Sequence, residues 1–225
     1  KFLCSELGWD ACGVVEGDDG LFRVDGPLPR PCDFAKLGFE VEMELHDNIN
    51  TAGFCQVHYA PGEPENLINP IQSLAKAGWT LSERMHGGTV VLEELSRAKA
   101  FSLLAEAPTN PITSAAARWV LRCTAQRKLK ICEDHWWMQQ CLSQNMQEII
   151  ARSQAGPTPG QRKFVEDLWG VPVQTQLALE HYFDRQYDLH EIDHPLAIDL
   201  VLTAQPFWGW SADLLTEKCS AGYPW

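Results

Sequence analysis

Two hydrophobic rhythms divide the chain. Over residues 39–45 the positions alternate singly: Phe39, Val41, Met43 and Leu45 point one way, and Glu40, Glu42 and Glu44 the other. A period of two predicts a half-buried strand with the glutamates on its wet face. The short apolar runs 11–15 and 21–24 flank Glu16-Gly17-Asp18-Asp19-Gly20. Two such runs joined by an acidic, glycine-containing turn predict a β-hairpin. Gly26-Pro27 and Pro29-Arg30-Pro31 then break the chain, 33–37 reads as a short helix closed by Gly38, and 52–59 is another β-prone run ended by Pro61-Gly62.

Beyond residue 60 the rhythm becomes helical. Asn69-Pro70, Asn110-Pro111 and Thr158-Pro159 each place proline behind a capping residue, as at the first turn of a helix. Helices are predicted at about 70–84, 90–106, 111–130, 133–153, 159–169, 173–186 and 194–203, and Gly170 with Pro172 is a stop signal. The fold class is therefore α+β, a small antiparallel β portion in 1–60 followed by a mainly α-helical body in 61–225.

Composition narrows the function. The 225 residues are 45% hydrophobic and 21% charged, which is ordinary globular composition. No stretch is long and apolar enough for a membrane span. The formal net charge is −12, and residues 1–60 hold 11 acidic against 4 basic residues. A free-standing binder of nucleic-acid phosphates would need a cationic face instead. An acidic front fits either a carboxylate site for cations or a solvated surface. The eight cysteines form no C-x-x-C pair, and reduced, mostly buried thiols of an intracellular protein are expected. The start, Lys1-Phe2-Leu3-Cys4, has neither initiator Met nor signal-peptide layout, and reads as a piece of something longer.

Adjacent carboxylates on a tight turn repel unless cations lie between them. Magnesium takes a few carboxylates together with phosphate oxygens, and two such ions can clamp a phosphoryl transfer. On the tripeptide alone a solvated Asp-Asp-Gly turn explains Asp18 and Asp19 as well. However, Val14-Val15-Glu16-Gly17-Asp18-Asp19-Gly20-Leu21 resembles the third palm motif of viral RNA-dependent RNA polymerases. Phe34-Ala35-Lys36-Leu37-Gly38-Phe39 resembles the fourth motif, and Gly53-Phe54-Cys55-Gln56 the fifth, the turn that grips the priming strand. The form is closest to positive-strand viruses of the tombus-like and noda-like groups. Order and approximate spacing agree over residues 11–60; the remainder agrees only in general character.

The resemblance implies that 1–60 is the end of a palm and 61–225 a thumb. It implies that Asp18 is the main metal ligand, assisted by Asp19, with Mg2+ (or Mn2+) as the cofactor. Lys36 would protonate the departing pyrophosphate, or is a surface lysine on a short helix. Phe54, Cys55 and Gln56 would shape the turn under the primer end, with Cys55 alternatively a packed thiol. RNA template, product strand and nucleoside triphosphates are the implied partners, and a replication complex in the host cytoplasm the implied setting. The first two palm motifs and the fingers are missing, so they belong upstream or on a second chain, and this chain alone is expected not to polymerise. Asp193 and Asp199 have a spacing suited to a displaced metal motif, but Pro195 and the helical pattern argue against it.

Other features of the chain carry their own alternatives. Arg118, Arg122, Arg127, Lys128 and Lys130 fall in one predicted helix, as RNA-backbone contacts or as cations at a helix C-terminus. Cys132 and His135, with Cys141 and Cys123 near, make a weak zinc pattern. Phe207-Trp208-Gly209-Trp210 and Tyr223-Pro224-Trp225 offer either a stacking platform or a buried tail. Two other readings stay open: a non-catalytic helical interaction module, and a reverse transcriptase fragment. The last is disfavoured by Glu16, where those enzymes usually carry a large aromatic or similar residue.

Overall fold

The computed structural model of the protein describes residues 5, 6, 8, 10–77, 87–129 and 145–203. The chain divides into two compact units, Lys1–Pro61 and Gly62–Trp225. Its class is α+β, and among the described residues no helix is long and apolar enough to cross a membrane.

In the first unit, β1 (Asp10–Glu16) pairs antiparallel with β2 (Asp19–Asp25), from Asp10 opposite Asp25 to Glu16 opposite Asp19. The turn is tighter than the sequence predicts, because Asp19 already belongs to β2. Gly17 has φ 59 and Asp18 is not left-handed, the pattern of a two-residue II′ turn that needs glycine first. Gly13 faces Phe22 across the ribbon, and a Cβ there would meet the Phe22 ring at 2.6 Å. The missing side chain lets that ring lie close against the partner strand. Val14, Val15 and Phe22 are more than half exposed, so carbon is open to solvent on both faces.

A short helix, α1 (Pro31–Ala35), follows where proline permits a first turn. Residues 39–45 do not form the predicted strand. Val41 and Met43 are half-buried while Phe39 and Leu45 are exposed, so the alternation survives only in the middle. A strand needs a neighbouring edge to take its backbone groups, and the described residues offer none to this segment. The run 52–59 is likewise not one strand: only β3 (Val57–His58) qualifies, preceded by a bridge between Phe54 and Val57.

The second unit begins with β4 (Leu67–Ile68) and α2 (Pro70–Lys76). Then come α3 (Gly88–Glu106), α4 (Thr113–Cys123), α5 (Met146–Gln154), α6 (Pro159–Trp169), α7 (Val173–Asp184) and α8 (Pro195–Thr203). Local chemistry fixes the ends. Thr158 and Gln161 exchange side-chain and backbone hydrogen bonds at the start of α6, and Gly170 ends it with φ 66. The helix predicted for 111–130 stops at Cys123, because Thr124 turns its hydroxyl back to the Val120 carbonyl and Arg97 takes the Leu121 and Thr124 carbonyls. Of the helix predicted for 133–153, residues 133–144 lie outside the described residues; the described part starts at Asn145, whose extended backbone and side chain cap Gln147 and start α5.

The main core gathers Leu74, Ile112, Ala115, Trp119, Val165, Val171, Leu179, Phe183 and Ala197. Trp119 stacks on Phe183 with ring centroids 5.5 Å apart and donates to the Asp188 carbonyl. A smaller cluster holds Ala100, Phe101, Leu104, Ala117 and Ile149. The corner before α4 is fully interior. Asn110 accepts from the Ile68 amide and donates to Thr113, and Gln161 donates to Thr109. Ile112 sits at φ 66 in a three-residue turn closed by Thr113 N–H to the Pro111 carbonyl at 2.7 Å. For a β-branched residue this is a strained conformation, kept by its surroundings.

Candidate functional site

The hairpin apex and the turn at 54–57 lie together in the first unit. Phe54 and Val57 exchange two backbone hydrogen bonds, at 2.9 and 3.0 Å. Between them Cys55 and Gln56 both have positive φ, 50 and 66. That is the I′ geometry, which usually falls to Asn-Gly; two ordinary side chains there cost about 1 kcal/mol each. The residues alone read as a β run, whereas the polymerase resemblance placed a turn here.

The Cys55 thiol donates to Glu16 Oε2 at 3.7 Å. Burial first, then the charges of Glu16 and Asp19, push this thiol up, so it stays S–H and acts as a donor. Glu16 and Asp19 face each other across the ribbon as like charges, an unfavourable pairing that a shared donor relieves.

An open cleft of about 410 Å³ runs beside this junction, lined among others by Asp19, Glu44, Thr51, Phe54, Cys55 and His58. Glu44, assigned by its alternation to a wet strand face, is exposed as expected though not in a strand, and it lines the cleft. His58 was legible only as part of an apolar run; burial, with His46 nearby, holds its imidazole below the usual range. Thr51 carries no sequence signal and arrives through the 3-10 turn Ile49–Thr51, capped by Asn48. An acidic cleft repels phosphates unless cations intervene.

Asp18 stands exposed in the turn and Asp19 beside it in β2. Two adjacent carboxylates supply the hard oxygens that magnesium takes, but only part of an octahedral shell. Among the described residues no group of three or more His, Cys, Asp or Glu side chains is placed to hold an ion. A complete shell needs oxygens from elsewhere.

Lys36 follows α1 and pairs with Asp33 at 3.0 Å, and Asp33 also accepts from the Arg30 amide. Hydrogen bonds from Lys36, then from the Arg30 amide and guanidinium, hold the Asp33 carboxyl down at about 2.

Arg118, Arg122 and Arg127 are each engaged within the second unit. Arg118 donates to the Ser153 carbonyl and approaches Asp184 at 3.8 Å. Arg122 takes the Phe183 and Gln186 carbonyls at 3.0 and 2.9 Å, closing the end of α7. Arg127 lies beyond α4 and pairs with Glu93. Lys128 is exposed, while Lys130 lies outside the described residues, as do Cys132, His135, Cys141 and the aromatic tail. Asp193 accepts from the Tyr182 hydroxyl at 3.0 Å and Asp199 is exposed on helix α8. No family model, curated protein or solved structure matches the chain.

Proposed function

We propose that the chain is the carboxy-terminal part of a viral RNA-directed RNA polymerase, comprising the end of the palm and a helical thumb. The observation that carries the reading is the junction of two separately recognised motifs. The Asp18-Asp19 turn and the Cys55-Gln56 turn are 36 or more positions apart in the chain, yet the Cys55 thiol reaches Glu16 beside the first turn.

In the complete enzyme a nucleoside triphosphate and the 3′ end of RNA meet at this apex. Asp18 and Asp19 supply part of the coordination for magnesium, which when bound activates the 3′-hydroxyl and neutralises phosphoryl charge. The 54–57 turn, rigid through its paired hydrogen bonds, supports the priming strand near Asp19. Lys36 is the candidate acid for pyrophosphate, with Asp33 as its partner at rest. Lys128, exposed beyond α4, is a candidate for product-strand phosphates. The setting is a viral replication complex in the host cytoplasm, with the fingers and first palm motifs supplied in cis or by a second chain.

Templated RNA synthesis tests this, measured for the chain alone and for the chain joined to the missing palm and fingers. No synthesis is expected from the chain alone, and Asp18→Ala should abolish synthesis by the joined enzyme. Undiminished synthesis by that variant would exclude the catalytic role. The competing reading, a non-catalytic interaction module, is favoured by the apolar ribbon and by the internal engagement of Arg118 and Arg122. It requires Asp18→Ala to be silent in every assay.

A further inference from the structure

Glu16 has no assigned role in the polymerase resemblance, which starts its ligand pair at Asp18. It is exposed at the end of β1, and it also meets the second turn. It closes the ribbon opposite Asp19 and accepts the thiol of Cys55, which sits 39 residues downstream. The receiving turn holds two non-glycine residues in left-handed backbone. Its own two backbone hydrogen bonds join Phe54 and Val57 within the turn. The Cys55 thiol contact reaches from the turn to the ribbon.

We propose that Glu16 is a positioning residue: by accepting the Cys55 thiol it ties the 54–57 turn to the hairpin apex and sets the distance between that turn and Asp19. The use of this distance, to align a priming strand with bound metal, rests on the polymerase reading; the tie itself does not.

Amide hydrogen exchange of Phe54 and Val57 in the full chain reads the tie. Glu16→Ala should speed both by about fivefold, the size of one net hydrogen bond. Glu16→Gln, which keeps an acceptor, and Cys55→Ser, which keeps a donor, should stay close to the parent. Cys55→Ala, which also removes the contact with Asp19, should equal or exceed Glu16→Ala, and adding Glu16→Ala to it should change nothing further. Unchanged exchange in Glu16→Ala, or additive effects in the double variant, would overturn the proposal.

Mn2+ added to the same samples separates the two layers. Broadening of the Gln56 amide that weakens in Glu16→Ala, at unchanged Mn2+ affinity, supports a positioning role. Equal broadening in parent and variant removes that role. Absence of any Mn2+ effect removes the metal reading of Asp18 and Asp19, and leaves the tie to be decided by exchange.

Discussion

The amide of Ile112 donates to Glu180 Oε1 at 3.0 Å, across 68 positions of sequence. The same carboxylate receives both arms of the Arg162 guanidinium, at 2.9 and 2.7 Å, and both side chains are largely buried. One glutamate thus satisfies a buried cation and the backbone of a strained corner. Glu180→Ala should destabilise the helical unit by about 3–5 kcal/mol, since it strands a buried charge. Replacing Arg162 and Glu180 together by methionine should recover much of that loss. Urea unfolding followed by tryptophan fluorescence measures both; a loss under about 1 kcal/mol for Glu180→Ala would show the pair to be solvent-relaxed.

Asn110 bears on the same corner from the other side. It is fully buried, and its amide group bridges the Ile68 N–H and the Thr113 hydroxyl. Asn110→Ala leaves the Ile68 amide without its acceptor, at an expected cost of about 1–3 kcal/mol. Urea midpoints at constant slope provide the check.

Lys36 can be separated into its structural and chemical roles by pH. The carboxyl of Asp33 is held at about 2, below its ordinary value of about 3.9, so its contribution is present at neutral pH and disappears as pH falls through about 2. In Lys36→Met the titration should move up toward the ordinary value, with α1 loosening at correspondingly higher pH. Carboxyl carbon shifts report the midpoint. A midpoint unmoved in the variant would show that Arg30 alone suffices.

His58 gives the cleft a pH dependence of its own. Burial, then proximity of His46, lowers its proton affinity. The folded form therefore favours the neutral ring: its contribution is complete above the ordinary value of about 6.5 and is lost as pH falls through the lower folded value. Amide signals from 52–58 should shift and broaden on acidification in the parent and hold steady in His58→Gln. Equal behaviour of the two would assign the change to another group.

Legibility followed the range of the deciding interaction. The stretch Pro159–Trp169 was readable to the residue, because Thr158, Pro159 and Gly170 are local signals. The hairpin was readable for the same reason, apart from the register that moved Asp19 into β2. The run 39–45 misled because alternation describes a willingness to pair and supplies no partner edge. Asn145 was overlooked as a cap inside a helical rhythm. In the cleft, the acidic turn announced itself, whereas Glu44, Thr51 and His58 converge through loops whose path no periodicity encodes. The arginines of α4 looked like an outward cationic face; their targets are carbonyls of α5 and of the end of α7, which only tertiary packing places there.

The ribbon of β1 and β2 shapes how the molecule behaves in a crowd. Val14, Val15 and Phe22 offer it as adhesive to any similar surface, while the acidic excess of residues 1–60 keeps copies apart. Salt shortens the reach of that repulsion to about 8 Å near 0.15 M but leaves the attraction intact. Sedimentation should therefore reveal clusters as ionic strength rises, reversing on dilution, with Val15→Lys remaining dispersed throughout.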